Sequence, residues 1–254
     1  MKDRMLSIFI YAFIGISSVI FFCIALLIWA TTILFDRRLV ALHLFSAFWA
    51  GCYLKIVPAW HVSVIGNDKI NNSGCYVIVS NHLSQLDIPV AFQLFRPFKW
   101  VSKAEVFNIP FIGWNMSLNR YIKLKRGDRV GVKHMLLGCE KALSSGSSIF
   151  IFPEGTRSAD GNIGKFSNGA FTLAKKMNLP ILPVVIKGSH QALPKHSLVI
   201  SGHHDISIEV LDPIAPETFA EKKPGELANE VKEIIAGRYY ETDDNSRSVE
   251  RAAA

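Results

Sequence analysis

The hydrophobic pattern divides the chain into two unlike parts. Residues 5–35, "MLSIFIYAFIGISSVIFFCIALLIWATTILF", are 31 positions without a charge. As a helix they span roughly 45 Å, more than the roughly 30 Å hydrocarbon core of a bilayer. No small-residue cleavage site follows, so the run is expected to be a retained anchor rather than a signal peptide. After Asp36-Arg37-Arg38, residues 39–60 are apolar again but include His43, Lys55 and Pro58. They predict a second helix, either spanning or lying in the interface with Trp49, Tyr53 and Trp60 at headgroup depth. The expectation is an antiparallel helical pair over residues 1–60. Lys2, Arg4, Arg37 and Arg38 flank the first run at both ends, so charge bias sets no orientation.

From residue 61 the pattern changes. "CYVIVS" (75–80), "SSIFIF" (147–152) and "ILPVVI" (181–186) are short continuous apolar runs, as expected of strands covered on both faces. "HVSVIG" (61–66) and "DISIEV" (205–210) alternate, as expected of strands nearer a sheet edge. Helical spacing of apolar residues predicts helices over 129–146, 168–178 and 225–240. Strands alternating with helices predict an α/β domain over 61–241, its sheet mostly parallel and flanked by helices. The polar, aperiodic residues 242–254 are expected to be a disordered tail.

Composition adds two constraints. The four cysteines, Cys23, Cys52, Cys75 and Cys139, have no metal-binding spacing and read as small buried hydrophobes in a reducing compartment. Net charge is +7, and within residues 96–133 nine lysines and arginines face only Glu105 and Asp128. Such a patch beside an anchor suits anionic headgroups, a phosphorylated substrate or an acidic carrier protein. No nucleic-acid motif accompanies it, and no nucleic-acid partner is expected.

Candidate chemistry sits where the first buried strand ends. "NHLSQLD" (81–87) holds His82 and Asp87 five positions apart. In one helix their side chains would point about 140° apart and could not meet. With Ser84 as N-cap, Asp87 falls in the first helical turn and His82 in the preceding loop, which can fold back. Asp87 then orients one ring nitrogen and leaves the other to accept a proton, the arrangement of a general base. Ser80 and Ser84 lie nearby, but no Gly-x-Ser-x-Gly elbow supports a serine nucleophile.

A second cluster, "FPEGTRS" (152–158), follows the strand 147–152. Gly155 permits a tight turn. Thr156 and Arg157 suit a phosphate, and Glu154 either orients Arg157 or bonds a substrate hydroxyl.

These two motifs, in this order and nearly 70 residues apart, resemble the first and third motifs of the glycerolipid acyltransferases, most closely the 1-acylglycerol-3-phosphate acyltransferases. "KAEVFNIPFIGW" (103–114) resembles the segment between them, with Lys103, Pro110 and Gly113. "KLKR" (123–126) matches a strand ending in arginine, here Arg126, and "ILPVVI" matches the fourth motif around Pro183. The chain departs from the pattern where Arg120 replaces a usual glycine and Lys123-Leu124 a usual Phe-Ile. The resemblance implies transfer of a fatty acyl group from acyl-CoA or acyl carrier protein to the hydroxyl of lysophosphatidic acid, with no further cofactor and no metal. It assigns His82 and Asp87 to catalysis and Lys103, Arg126, Glu154, Gly155, Thr156 and Arg157 to substrate binding. Backbone amides at the helix start after His82 are candidate oxyanion donors. The expected location is the inner membrane, among membrane lipids, with the active site facing the cytoplasm. Two alternatives stay open: another lysolipid acceptor, motivated by Arg120, and a non-catalytic membrane-tethered protein that binds anionic lipid.

Overall fold

The computed structural model describes residues 2–241; the predicted tail lies outside them. In chain order the elements are α1 (Lys2–Thr32), α2 (Val40–Lys55), β1 (Trp60–Ile65), β2 (Val77–Ser80), α3 (Asp87–Ala91), β3 (Phe98–Lys103), α4 (Ile112–Leu118), β4 (Ile122–Leu124), α5 (Arg129–Ser144), β5 (Ser148–Ile151), α6 (Gly169–Met177), β6 (Ile181–Lys187), α7 (Ser189–Ala192), β7 (His204–Val210), α8 (Pro216–Phe219) and α9 (Pro224–Tyr240). The strands form one seven-stranded sheet, ordered β1-β7-β6-β2-β5-β3-β4. Every pairing is parallel except β6 with β7. The three continuous apolar runs occupy the sheet's interior as β2, β5 and β6. The alternating runs are β1, at an edge, and its neighbour β7.

Alternation within the central strands builds two cores. Ile78, Phe150, Leu182 and Val184 point to one face and pack with Ile10, Ala47, Leu54 and Val90 from α1, α2 and α3. Val77, Val79, Ile149 and Ile181 point to the other and pack with Cys139, Phe171, Leu227 and Val231 from α5, α6 and α9. The anchor helices therefore cover one face of the sheet, and α5, α6 and α9 cover the other.

Helices α1 and α2 are antiparallel: Phe21 stacks on Trp49 at 5.4 Å, and the hydroxyls of Ser17 and Ser18 lie 3.0 and 2.9 Å from that of Tyr53. Helix α1 is long and apolar enough to cross a membrane. Much of its surface, including Ile8, Phe9, Ile16 and Leu27, is exposed. Trp49 of α2 and Trp60, which opens β1, do not present the outward-facing rings that the interfacial alternative expected. Both indoles are buried, Trp49 against α1 and Trp60 within the sheet core. His43 of α2 is also buried, 2.8 Å from the Tyr121 hydroxyl, and burial pushes its pKa down to about 3. Of the four free cysteines only Cys139 is fully buried, which pushes its thiol up to about 12, whereas Cys23 lies on the exposed surface of α1.

Candidate active site

The register of the sheet assembles the site. Val77 pairs with Ile149 and Val79 with Ile151. The same offset, carried past both carboxyl ends, sets His82 opposite Glu154. The His82 amide donates to Glu154 Oε1 at 2.7 Å, and the Gly164 amide donates to Oε2 at 2.8 Å. Both carboxylate oxygens are thus occupied by backbone, so Glu154 clasps the two loops. It neither orients Arg157 nor has an oxygen reserved for a substrate. Burial raises its pKa, against the pull of those two amides. A third bond, from the Ser158 amide to the His82 carbonyl at 3.0 Å, closes the loops on each other.

His82 and Asp87 meet. Nδ1 lies 2.8 Å from Asp87 Oδ2, and the ring stacks on Phe152 with centroids 4.0 Å apart and planes 12° apart. The same Oδ2 accepts the amides of Leu83 at 2.7 Å and Ser84 at 2.9 Å. Asp87 is fully buried as the first residue of α3, and these donors take the place of water around its carboxyl oxygens. With Nδ1 facing the carboxylate, Nε2 points away from it, and among the described residues it has no protein partner.

Two local expectations change. Ser84 is not the N-cap: its amide serves Asp87, and its hydroxyl accepts from the Leu86 amide and donates to the Leu193 carbonyl at 2.6 Å. The amides of Leu83 and Ser84 are also spent on Asp87, so the helix start does not supply them to an oxyanion.

The second motif turns at Gly155, whose φ of +70° suits glycine. Arg157 is half-buried, and its carbonyl accepts from Lys195 Nζ at 2.7 Å; Thr156 is exposed. Lys103 ends β3, paired in register with Leu124 of β4, and Arg126 follows two residues later. Both cations are exposed and lie on the same edge as His82; the backbone amide of Glu105 first, and then Lys103 and Arg126, hold the Glu105 carboxyl below its ordinary pKa. They are two and three strands from β2, about 10 and 14 Å at ordinary strand spacing. Hydrogen bonds therefore join His82, Asp87 and Glu154, Gly155 to Arg157 share their loop, and Lys103 and Arg126 stand further along the edge. Arg120, where the motif has glycine, takes the left-handed conformation with φ of +55°.

Sequence reasoning passed over two supports. Asn81 spans to β6, its side chain donating to the Ile186 carbonyl at 2.8 Å and accepting the Ile186 amide at 2.9 Å. Ser189 donates its hydroxyl to Asp87 Oδ1 at 2.5 Å. Both contacts join residues more than 100 positions apart, and no local pattern marks them.

The model of the family described as "Acyltransferase" matches residues 61–187, half the chain, and spans His82, Asp87, Lys103, Arg126 and Glu154 to Arg157, while Ser189 falls just beyond it. The chain belongs to the acyltransferase family. It is 34% identical over 238 residues to the chloroplastic 1-acyl-sn-glycerol-3-phosphate acyltransferase LPAT1 of Arabidopsis thaliana, covering 93% of this chain and 65% of that one. It is 34% identical over 131 residues to the 1-acyl-sn-glycerol-3-phosphate acyltransferase of Pseudomonas aeruginosa, 51% of each chain. The chain spans less than two thirds of the length of these curated relatives. Its fold matches a crystal structure of the 1-acyl-sn-glycerophosphate (LPA) acyltransferase PlsC from Thermotoga maritima, with a TM-score of 0.77 and 23% identity over 100% of this chain and 97% of that one.

Proposed function

We propose that the chain transfers a fatty acyl group from acyl-CoA or acyl carrier protein to the free hydroxyl of 1-acylglycerol-3-phosphate, giving phosphatidic acid. The observation that carries this reading is the Nε2 of His82, which has no protein partner among the described residues and belongs to a ring whose other nitrogen lies 2.8 Å from Asp87. An alcohol is a weak nucleophile, and Nε2 removes its proton as the oxygen attacks the thioester carbonyl. The tetrahedral intermediate then expels the thiolate, which takes that proton back from the imidazolium. Asp87 holds the tautomer and stabilises the imidazolium, and such base catalysis typically contributes about 10²–10⁴-fold. Arg157 and Thr156 beside Gly155 receive the acceptor's phosphate, with Lys103 and Arg126 further along the edge. Glu154 acts by fixing both loops. No further cofactor or metal takes part in this scheme.

The protein also works, in this reading, from within one leaflet of the inner membrane, with its site facing the cytoplasm where acyl thioesters are made. Helix α1 and the turn that follows it are held to the domain: Ser7 Oγ accepts the Ile200 amide at 2.9 Å, Phe22 packs on Phe111 and Trp114, and, in the turn, the Arg38 carbonyl accepts from Lys99 at 2.8 Å. A spanning α1 would drag those polar partners into hydrocarbon. A flat one keeps both of its charged ends among the same headgroups, which accounts for the symmetric flanking charges. With Arg4→Cys or Arg37→Cys as the sole cysteine, an impermeant maleimide is expected to label both sites from one side of sealed vesicles. Labelling from opposite sides would reject the flat arrangement.

The deciding assay uses purified protein, labelled palmitoyl thioesters of both kinds and a panel of lysolipids. Transfer to lysophosphatidic acid that a folded His82→Ala variant loses is the expected result. Undiminished turnover in that variant would reject the base. Arg120 keeps the second acceptor reading alive, since a long cation stands where glycine leaves space; equal rates with phosphate-free acceptors would favour it.

A further inference from the structure

The basic patch is not one surface, and the two faces of the sheet separate its parts. Helix α5 lies on the face opposite α1 and α2, buried there through Cys139 and Leu143. Its outward side carries Arg129, Lys133 and Lys141 together with Val130 and Leu137, which are 59% and 51% exposed. At about 100° per residue these five fall within roughly 120° of arc and extend roughly 18 Å along the axis. The nearby acids are already turned to cations, Asp128 to Lys125 at 3.7 Å and Glu140 to Lys176 at 2.7 Å. Among the described residues the three outward cations have no ion-pair partner within 4 Å.

A bilayer that holds α1 cannot also reach the far side of the sheet, so this face meets something dissolved in the water. Exposed valine and leucine among the cations suit a protein surface, apolar in part and acidic around it. The helix begins five residues after β4, at the carboxyl edge that holds His82, so a molecule seated on it lies beside the reacting end of the site.

We infer that the outward face of α5 docks an acidic protein that carries the acyl thioester, delivering its acyl group to the site from the side opposite the membrane. The inference rests on the proposed acyl transfer and assigns the donor a docking surface distinct from the residues given to the acceptor.

The test compares wild type with Lys133→Glu/Lys141→Glu and with Leu137→Asp, all at exposed positions, their folding checked by circular dichroism. Palmitoyl-acyl carrier protein and palmitoyl-CoA serve as donors. The expected result is a KM for the carrier-protein donor raised about tenfold or more, with that for palmitoyl-CoA changed less than about twofold, since reversed charge weakens protein docking. Unchanged constants for the protein donor, or an equal loss with both donors, would overturn the inference. So would loss of binding to phosphatidylglycerol vesicles with the protein donor unaffected, which would make the face a membrane contact. Anisotropy of labelled acyl carrier protein reads docking directly: salt-sensitive binding lost in the charge-reversed variant supports the inference, and no binding overturns it. That measurement stands even if neither donor is used, the outcome that would reject the proposed reaction alone.

Discussion

Ser189 donates its hydroxyl to Asp87 Oδ1 at 2.5 Å, filling the carboxylate oxygen that His82 leaves open. The bond reaches across 102 residues and ties the segment after β6 to the start of α3. With Leu83 and Ser84 on Oδ2, it leaves Asp87 a single orientation in which to hold the imidazole.

Removing that bond loosens the carboxylate without touching substrate. Ser189→Ala is expected to lower kcat about tenfold with KM little changed, in keeping with about 1.5–3 kcal/mol for a hydrogen bond to a charged group. Ser189→Thr restores most of the rate. Steady-state kinetics on the three proteins provide the check; a shift confined to KM would remove Ser189 from its positioning role.

Glu154 tests the loop clasp. Each of its oxygens accepts one backbone N–H, so an amide in its place turns an NH2 group against a donor. Glu154→Gln is expected to cost about 1–3 kcal/mol and to reduce transfer, with thermal unfolding in detergent and initial rates as the readouts. A stable, fully active variant would mean that the loops hold without the clasp.

Lys99 carries a pH signature. Burial first, then the Arg120 charge, lowers its pKa from 10.5 to about 8, while Nζ donates to the carbonyls of Arg38 and Asn119 at 2.8 Å each. The folded pKa lies below the unfolded one, so between pH 8 and 10.5 the unfolded chain binds more protons, and this lysine adds stability as pH rises. Relative to Lys99→Met, wild type should gain on the order of 3 kcal/mol across that window. The difference in melting temperature between the two proteins, followed from pH 7 to 10, reports it. A constant difference would show that Lys99 does not shed its proton in the fold.

Two glycines with positive φ are expected to respond differently. An added Cβ at Gly155, φ +70°, meets nothing within 4 Å, so Gly155→Ala costs only backbone strain, about 1–2 kcal/mol. At Gly188, φ +79°, the Cβ would lie 2.0 Å from the Asp205 carbonyl oxygen. Gly188→Ala must displace β7 or the segment bearing Ser189, and a severe loss of both stability and transfer is expected. Parallel melting curves and rates distinguish the two; equal effects would refute the steric account.

The elements legible in the sequence were those whose environment repeats along the chain. Strands β2, β5 and β6 read as unbroken apolar runs because parallel strands between two helical layers are dry on both sides. Helices α5, α6 and α9 showed their period because each has one wet face. Strand β3 was not legible for another reason: its "FKWVSK" mixes apolar residues with Lys99, whose buried ammonium only the carbonyls of Arg38 and Asn119 explain. Strand β4 was marked through the family resemblance, its three residues being too few to show a pattern.

For the site, the sequence by itself determined that a histidine and an aspartate leave one buried strand and a Gly-Thr-Arg turn leaves another. Their spacing and the strand-end loops are local facts. Only the tertiary structure decided that β2 and β5 pair with an offset that sets Glu154 opposite His82, that Ser189 arrives from β6 to complete Asp87, and that α1 lies along the domain rather than apart from it. Register and layer order are set by how whole faces pack, a cooperative property of distant residues that no single stretch encodes.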